Sequence, residues 1–290
     1  MNPNLVTLRV WGDFACFSRP EMKVERVSYE VPTPSAARGI LESIFWEPQM
    51  YYLIDSIRIV KPGSWFSFRR NEVTRVVSID SAKTWMKEPE KAKPILAGGG
   101  AEDCTQRNML ARQNVEYLIT AEVRLTHLAR PPRDNLGKYT DEIRRRAKSG
   151  KCFHRPGLGM REFAADFELV EEDPDDFLAS RLAALPVDEK APPMQQKLGL
   201  MLYDIFDHRQ RDRGFRWFSP EEQSASDASF EESLKSLMTR EANQRRKARV
   251  VSRHEGDIIR PAPAFFQAEV KAGVMDCHPD RIRIISPAQP

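Results

Sequence analysis

The N-terminal half of the chain alternates between segments with a two-residue hydrophobic period and segments with a helical period. Leu5–Trp11 alternates apolar and polar positions and is rich in β-forming residues, which predicts a strand. From Thr33 to about Trp46, apolar residues recur four apart after a capping residue and a proline, which predicts an amphipathic helix. The same patterns predict the other elements of this half, namely strands at Tyr51–Val60, Val115–Leu125 and Arg161–Glu171 and a short basic helix at about Tyr139–Ser149.

The predicted order is therefore strand, helix, strand, strand, helix, strand. This βαββαβ order is the plan of ferredoxin-like folds, which RRM-type RNA-binding domains share. A segment at about 61–100 interrupts the plan, and its pieces Trp65–Phe68 and Val73–Ile79 are expected to pair as an arm-like hairpin. The fold class is predicted as α+β, with residues 1–172 forming the first domain.

The rest of the chain, residues 173–290, is predicted to form a smaller β-rich domain. Leu198–Phe206 and Ala264–Val270 have strand patterns. Between them lies an insertion at about 208–256, in which an acidic, Ser-rich linker precedes a helical run from Phe230 to about Val251. The second half of that run is basic, so it could contact phosphates, dock on a partner or form a solvated appendage.

Composition places the chain among ordinary globular proteins. It has 290 residues, of which 41% are hydrophobic and 30% are charged, enough to bury a core without disulfides or metal. No apolar run approaches the roughly 18 residues of a membrane helix, and Met1–Asn4 lacks a leader pattern, so a cytoplasmic location and no membrane partner are expected. The four cysteines are far apart and never form CxxC, which fits a reducing compartment better than a disulfide framework.

The net charge of +3 says little, but the distribution of charge is uneven. Residues 138–161 hold eight Lys and Arg against two acids, and residues 240–260 hold seven against three. Blocks of positive charge are expected of a face that binds a polyanion, although a solvated helix face is the commoner cause. The five histidines are isolated, in neither HxH nor HExxH spacing, so no metal site and no cofactor are predicted.

Sequence motifs along most of the chain can be compared with a known family. In chain order they are Val10–Phe17, Arg19–Lys23, Arg26–Tyr29, Val31–Glu42, Arg69–Val73, Gln106-Arg107, Val115–Tyr117, Gly137-Lys138, Leu158-Gly159, Arg161–Phe163, Leu202–Ile205, Phe265-Phe266 and Gly273-Val274. Together they closely resemble the CRISPR-associated Cas-five family, type I-C subtype, everywhere except in the insertion. A dispersed match of this length is more specific than any one short motif.

The resemblance implies an RRM-like protein that binds the CRISPR repeat and cuts precursor CRISPR RNA below the repeat hairpin. It also implies that the protein then holds the 5′ handle beside the Cas-seven backbone subunits and the large subunit of the type I-C surveillance complex. Target DNA is a further candidate partner. One alternative hypothesis is a non-catalytic subunit that caps the 5′ handle, and another is a generic RRM-type RNA binder outside CRISPR.

RNA cleavage without a metal uses the substrate's own 2′-OH as nucleophile, and the protein supplies acid–base groups and a cation. The similar enzymes use a Tyr at the end of the first helix and a Lys-His pair before the second. Lys138 matches that Lys, whereas Phe45 stands in the Tyr place and Tyr139 in the His place. Phe cannot move a proton, and Tyr is a poor base at neutral pH unless cations such as Lys138 lower its pKa.

Catalysis is therefore predicted to depend first on Lys138, second on Tyr139 and third on His154, the nearest other proton carrier. Lys138 is expected just before a helix N-terminus, where free backbone N–H groups favour phosphate. Tyr139 could equally pack its ring into the apolar stripe of the helix, and His154 could be a plain surface residue.

The candidates for RNA binding are cations near the family motifs or on the basic helix, and arginine suits this role through its planar, bidentate guanidinium. They are Arg19, Lys23, Arg26, Arg38, Arg69, Arg70, Arg107, Arg144, Arg145 and Arg161. Phe14, Phe17 and the aromatic residues of Trp65–Phe68 could stack on unpaired bases. Phe14 and Phe17 could instead belong to the core.

Overall fold

The computed structural model describes residues 3–22, 24–98, 100–189, 193–205, 211–212, 253–254, 257–258 and 263–286. Lys23 and most of the insertion, including the helical run predicted at Phe230–Val251, lie outside these residues. The helices are α1 (Pro34–Ile44), α2 (Ile79–Lys87), α3 (Leu136–Lys148) and α4 (Pro174–Ala184), with 3-10 turns at Pro89–Lys91 and Val187–Glu189. The strands are β1 (Leu5–Ala15), β2 (Arg26–Val27), β3 (Met50–Lys61), β4 (Ser64–Val73), β5 (Cys104–Leu125), β6 (Asp166–Val170), β7 (Gln196–Asp204), β8 (Arg253–His254), β9 (Asp257–Ile258), β10 (Ala264–Lys271), β11 (Val274–Asp276) and β12 (Ile284–Ile285).

A ten-stranded, mainly antiparallel sheet organises the described chain into a mixed α/β fold. Its strands run in the order β12-β10-β11-β3-β5-β1-β6, with β2 and β4 beside β5 and β7 beside β10. The strands of the C-terminal half join it where β11 pairs with β3, Val274 lying opposite Arg58. Both halves of the chain thus share one sheet, and the division at residue 172 stays a prediction. Within the described part of the chain, no helix is both long and apolar enough to span a bilayer.

Helix α1 forms where the sequence predicts it. The Thr33 hydroxyl accepts a hydrogen bond from the backbone N–H of Ala36, and Pro34 occupies the first turn. Ile40, Leu41 and Ile44 recur on its buried side. The helix ends at Ile44, so Phe45 is the first residue beyond it.

Helix α3 begins three residues earlier than the sequence analysis predicts. The side chain of Asn135 accepts a hydrogen bond from the backbone N–H of Lys138 at 2.9 Å and caps the helix there. Lys138 therefore lies in the first turn rather than before the helix, and its N–H is already bonded. Tyr139, Ile143 and Ala147 form the buried stripe, as their four-residue spacing predicts.

The two faces of the sheet are covered differently. One face packs on α1 and α3 and contains the main core, to which β1 contributes Val6, Leu8 and Val10. On the other face, Leu182 of α4 packs against a small cluster that includes Leu118. Beside that cluster the buried carboxylate of Glu116 accepts hydrogen bonds from Arg9 and Arg181. Helix α4 therefore occupies part of the sheet face that α1 and α3 leave open.

The predicted pairing of Trp65–Phe68 with Val73–Ile79 as a hairpin is wrong. β4 pairs with the first half of β5, so that Ser64 lies opposite Gln113 and Val73 opposite Cys104. Residues 74–78 lead instead into α2, which begins after the capping side chain of Ser78. The strand predicted at Val115–Leu125 extends back to Cys104 because its first half forms the arm.

The strand predicted at Arg161–Glu171 is shorter than expected, since it covers Asp166–Val170, and Ala164 before it forms an isolated bridge with Gly157. The preceding residues form a turn in which Gly159 has a φ of +84°. A Cβ at this position would collide with the backbone carbonyl of Cys16. Because Cys16 is itself held by a 2.9 Å bond to the carbonyl of Leu158, the turn has little room to adjust.

We expect Gly159→Ala to lower the free energy of unfolding by more than about 2 kcal/mol, since the left-handed backbone alone costs an L residue roughly 1–2 kcal/mol. Gly39 provides the matched control, because a Cβ there meets nothing within 4 Å inside α1. Gly39→Ala should raise the free energy of unfolding by about 0.5–1 kcal/mol. Urea denaturation followed by circular dichroism measures both, and changes of the same sign would contradict this description of the turn.

Candidate active site

Three segments meet at the end of α1: the residues just past that helix, the first turn of α3 and the loop after α3. The backbone N–H of His154 donates to the carbonyl of Ser43 at 2.9 Å. The ring of Phe45 is stacked near that of Tyr139, with 6.3 Å between their centroids. The structure thus places Tyr139, with its neighbour Lys138, and the backbone of His154 near the C-terminal end of α1.

Asp134 is the centre of this site, and the sequence analysis missed it. Its Oδ1 accepts hydrogen bonds from the Tyr139 hydroxyl at 2.7 Å and from Lys138 Nζ at 3.2 Å. Its Oδ2 accepts from the backbone N–H of Arg130 at 2.9 Å. The Arg130 N–H, the Tyr139 hydroxyl and the Lys138 ammonium together lower the pKa of Asp134 to about 2, so the carboxylate is charged at neutral pH. The i,i+4 spacing of Asp134 and Lys138 is the sequence signal that could have found it.

Tyr139 has the buried position that the sequence analysis gave as its alternative role. Its side chain is fully buried and its hydroxyl donates to Asp134. Burial, followed by the hydrogen bond and charge of Asp134, raises the pKa of the phenol well above its usual value. The condition under which Tyr139 would act as a base, that neighbouring cations lower its pKa, is not met, because burial and the Asp134 carboxylate outweigh Lys138.

Removal of the Tyr139 hydroxyl tests this description. For the RNA cleavage that the family resemblance implies, we expect Tyr139→Phe to stay within about 10-fold of the wild-type rate, because a phenol that stays protonated from pH 6 to 9 supplies no base. The rate–pH profiles of the two proteins should have the same shape over that range. A rate loss above 100-fold, or an inflection present only in the wild type, would show that the phenol transfers a proton.

Lys138 is the cation that this arrangement presents at the surface. Its side chain is 41% exposed, whereas that of Asp134 is only 6% exposed. Its Nζ also lies 3.4 Å from the Tyr139 hydroxyl and 4.6 Å from the centre of the Tyr139 ring. The ammonium therefore contacts Asp134 and Tyr139 on its protein side, and its other side is exposed to solvent. His154 is exposed, with its ring against that of Phe153.

The basic residues of α3 are largely occupied by groups of the chain itself. Glu142 accepts hydrogen bonds from Arg145 and Arg146, which lower its pKa to about 2. Arg144 donates to the backbone carbonyl of Leu5 at 2.9 Å. RNA binding by Arg144 and Arg145 stays a prediction, and it requires these bonds to be shared or exchanged.

Arg38 is the most deeply enclosed of the RNA-binding candidates. It pairs with Glu42 at 2.6 Å and with Asp204 at 3.1 Å, and its side chain is only 12% exposed. Asp204 in turn pairs with Arg211, so the cluster links α1, β7 and the start of the insertion. Contact between Arg38 and RNA would break buried ion pairs, which disfavours the predicted role.

The RNA-binding candidates on and near the arm differ in whether an acidic side chain pairs with them. Arg19, Arg26 and Arg70 form ion pairs with acids. Arg69 is exposed and, among the described residues, bonds only the neutral side chains of Asn108 and Gln106. Arg107 lies opposite Arg70 across the β4–β5 pair. Arg161 is exposed in the turn before β6, and Lys23 is outside the described residues.

The aromatic candidates divide between core and surface. Phe17 is buried in the main core, which agrees with the alternative that it packs in the core rather than stacks on a base. Phe14 packs against Phe66, with 5.3 Å between the ring centroids. Trp65 is 44% exposed on the other side of β4, where the guanidinium carbon of Arg112 lies 4.5 Å from its ring centre. Trp65 and Arg69 share that outer side of the arm, because they are separated by an even number of strand positions.

Among the described residues, no group of three or more His, Cys, Asp or Glu side chains is placed to hold a metal ion. The chemistry that the site can offer through these residues is therefore a surface ammonium, an exposed imidazole and a buried carboxylate–phenol pair.

Comparison with known proteins identifies the family. The family model for Cas5d, described as CRISPR-associated protein (Cas_Cas5), matches residues 5–254. The chain belongs to the Cas5d family. This confirms the Cas-five family that the sequence motifs resemble.

Two curated relatives support the assignment to Cas5d, and both are named CRISPR pre-crRNA endoribonuclease Cas5d. The protein from Mannheimia succiniciproducens is 40% identical over 216 residues, which cover 73% of this chain and 90% of the relative. The protein from Thermus thermophilus is 41% identical over 200 residues, which cover 68% of this chain and 72% of the relative.

Among solved structures, this Cas5d chain is similar to a functionally uncharacterized protein from Streptococcus mutans. The TM-score is 0.52 at 14% sequence identity, over 98% of this chain and 97% of the other. At this identity the likeness concerns the fold alone.

Proposed function

We propose that this Cas5d chain is a pre-CRISPR RNA endoribonuclease that cuts the repeat without a metal ion. The observation that carries the proposal is the Lys138 ammonium, which Asp134 and Tyr139 hold at the surface of the first turn of α3. Lys138 also occupies the position of the family's Lys. A fixed cation at a phosphate stabilises charge that develops in the transition state and needs no reorganisation when the reaction occurs.

In the proposed reaction, the 2′-oxygen of the nucleotide before the cut forms a bond to the adjacent phosphorus, and the bond from phosphorus to the 5′-oxygen breaks. Lys138 stabilises the crowded phosphate. His154 accepts the proton of the 2′-OH and donates a proton to the departing 5′-oxygen, since histidine side chains as a class donate and accept protons near neutral pH. Tyr139 keeps Asp134, and through it Lys138, in position. The products carry a 2′,3′-cyclic phosphate and a 5′-hydroxyl.

We further propose that the N-terminal half is of the RRM-type, ferredoxin-like class. The strand order β3-β5-β1-β6, with α1 and α3 on one face, supports this class. RRM domains bind RNA on the opposite sheet face. Here α4 and the ion pairs of Glu116 with Arg9 and Arg181 occupy part of that face, which favours RNA binding around Lys138 and along the arm instead.

The proposed partners follow from the family. The chain is proposed to act in the type I-C subtype, in the cytoplasm, where it retains the 5′ handle of the mature RNA beside the Cas-seven backbone subunits and the large subunit. Target DNA is a further candidate. On the arm, Trp65 offers an exposed ring for stacking, and Arg69 offers a guanidinium with neutral neighbours.

The test uses the purified full chain, a labelled repeat RNA and EDTA. We expect cleavage at a single position, with a 2′,3′-cyclic phosphate on the upstream product. A scrambled RNA of the same length serves as the control. Equal binding of the two RNAs at moderate salt would contradict the proposal, and so would cleavage that requires a divalent metal.

A second candidate function is a non-catalytic subunit that caps the 5′ handle. Two observations favour it: Phe45 has no titratable group where the family has a Tyr, and the pKa of Tyr139 is raised where the family has a His. Tight, specific binding of the repeat RNA with no cleavage after long incubation would support this function and contradict the first.

A further inference from the structure

A depression lies beside the Lys138–Asp134 pair, and no role follows for it from the family motifs. Its volume is about 560 Å³, and it is open to solvent. Its lining residues are Pro48, Gln49, Leu128, Arg130, Arg133 and Asp134. A volume of this order accommodates a small organic ligand the size of a nucleotide. Because Asp134 lines the depression and also holds Lys138, the depression and the proposed catalytic site share a wall.

The walls of the depression are fixed to each other. Thr126 donates its backbone N–H to the carbonyl of Gln49 at 2.9 Å and its hydroxyl to the carbonyl of Pro48 at 2.8 Å. The loop that carries Leu128 and Arg130 is thus joined to the loop between α1 and β3. The depression is therefore present before any ligand binds.

Two arginines supply positive charge to this depression. Arg130 and Arg133 are both exposed, and they are separated only by Pro131 and Pro132, whose rings restrict the backbone between them. Among the described residues, neither guanidinium has an acidic partner within ion-pair distance, in contrast to Arg145 and Arg146 on α3. Two neighbouring guanidiniums of this kind suit a phosphate, which they can bind with several hydrogen bonds.

The other side of the depression suits a nucleobase. Pro48 and Leu128 provide apolar surface for the face of a ring. The Oε1 atom of Gln49 is buried and has no hydrogen-bond partner among the described residues. A buried acceptor without a partner is uncommon in folded proteins, and a rotation of this partly buried side chain towards the depression would bring it to an N–H of a bound base.

We propose that this depression is a nucleotide subsite next to the scissile bond. In it, Arg130 and Arg133 bind a flanking phosphate, the base packs on Pro48 and Leu128, and an N–H of the base donates to Gln49. The inference rests on the proposed function, because it takes RNA as the ligand of the neighbouring Lys138. It adds a site that selects one base beside the cut.

The phosphate part is tested by equilibrium binding of a repeat RNA that carries a 2′-deoxy nucleotide at the cut, so that it stays intact. We expect the double variant Arg130→Ala/Arg133→Ala to bind at least 10-fold more weakly than the wild type at moderate salt. The slope of log K against log salt should also become shallower by about 1 to 2. Arg283→Ala, which removes an exposed arginine outside the depression, should change neither quantity.

The base part is tested by replacing each nucleotide near the cut, in turn, with an abasic one. The wild type should lose affinity at one flanking position. Gln49→Leu should bind the unmodified RNA more weakly and should lose the sensitivity to that one abasic replacement. Because Gln49 lies in a loop and its side chain is only partly buried, the variant should retain the wild-type circular dichroism spectrum.

The outcomes separate the subsite from the proposed function. Wild-type affinity and salt dependence in the Arg130→Ala/Arg133→Ala variant would overturn the phosphate contact, while specific binding by the wild type would leave the proposed function intact. If every abasic replacement lowered the affinity of the wild type and of Gln49→Leu by the same factor, the base contact would be overturned. Failure of the wild type itself to prefer the repeat RNA over a scrambled one would overturn the proposed function and the subsite together.

Discussion

Lys138→Ala should slow cleavage of the repeat RNA by at least 100-fold under single-turnover conditions, because loss of one preorganised group that stabilises transition-state charge costs about 100- to 1,000-fold. The affinity for uncleaved RNA should fall much less, since Lys138 is only one of the many cations that are proposed to contact phosphate. Lys138→Arg should recover part of the rate, because it keeps the charge but changes the shape of the donor. Rates from quenched time courses and dissociation constants from filter binding measure the two effects separately.

Lys148 provides the control for this experiment. It lies at the last residue of the same helix and pairs with Glu171 at 3.0 Å, far along α3 from Asp134. Lys148→Ala removes an equal charge from an exposed position, so its cleavage rate should stay within about 2-fold of the wild type. If Lys148→Ala lost as much activity as Lys138→Ala, the effect would reflect the general charge of α3 and the assignment of Lys138 would be wrong.

Asp204→Ala should have the largest effect on stability. The carboxylate is 7% exposed and pairs with Arg38 and Arg211, whose side chains are 12% and 7% exposed. Removal of one partner from a buried ion pair typically costs about 3–5 kcal/mol, because the opposite charge remains in the interior without compensation. We expect a loss of that order in the free energy of unfolding, measured as a lower urea midpoint with an unchanged slope.

Asp175 is the matched control, since it also pairs with an arginine but is 70% exposed. Asp175→Ala should lower the free energy of unfolding by less than about 1 kcal/mol.

The effect of Asp204→Ala on stability should also depend on pH. Burial alone would raise the pKa of Asp204, but Arg38 and Arg211 outweigh it and lower the pKa. The stabilisation is therefore complete above pH of about 4, the pKa of an unfolded aspartate, and is lost as the pH falls further. A constant difference between wild type and variant from pH 7 to pH 3 would contradict this.

The hydrophobic periods predicted most elements of the N-terminal half because interactions between residues close in sequence determine where those elements form. In α1, the cap at Thr33 and the four-residue recurrence of Ile40 and Ile44 act within the helix itself. The apolar stripe of α3 starts at Tyr139 and so predicts a start three residues late, because the capping side chain of Asn135 lies before that stripe. The signal for this cap was present in the sequence, directly before the helix.

The pairing of the arm could not be predicted in the same way. The partner of β4 starts at Cys104, after a helix and a long connection, and several β-forming pieces compete for that role. Local pattern does not distinguish Val73–Ile79 from Cys104–Gln113, since both can alternate. The choice depends on the continuity of β5 into the central sheet, which is a property of the whole fold.

The candidate site was predicted only where a motif marked it. Lys138 was found through the family pattern, but Asp134, Arg130 and Arg133 lie in a loop without periodicity. The sequence also could not show whether cations lower the pKa of Tyr139, for a related reason. A count of nearby cations in the sequence takes no account of burial or of a carboxylate 2.7 Å from the hydroxyl, and both raise the pKa.

The most direct test of the central claim, that the RNA itself supplies the nucleophile beside Lys138, replaces a single oxygen atom in the substrate. Repeat RNA with a 2′-deoxy nucleotide at the cut position is compared with the unmodified RNA in EDTA, with cleavage and binding measured on the same samples. We expect the deoxy RNA to bind with the same affinity and to remain uncut, while the unmodified RNA yields a 2′,3′-cyclic phosphate. Cleavage of the deoxy RNA at a similar rate would show that another nucleophile attacks, and would contradict the role assigned to the site.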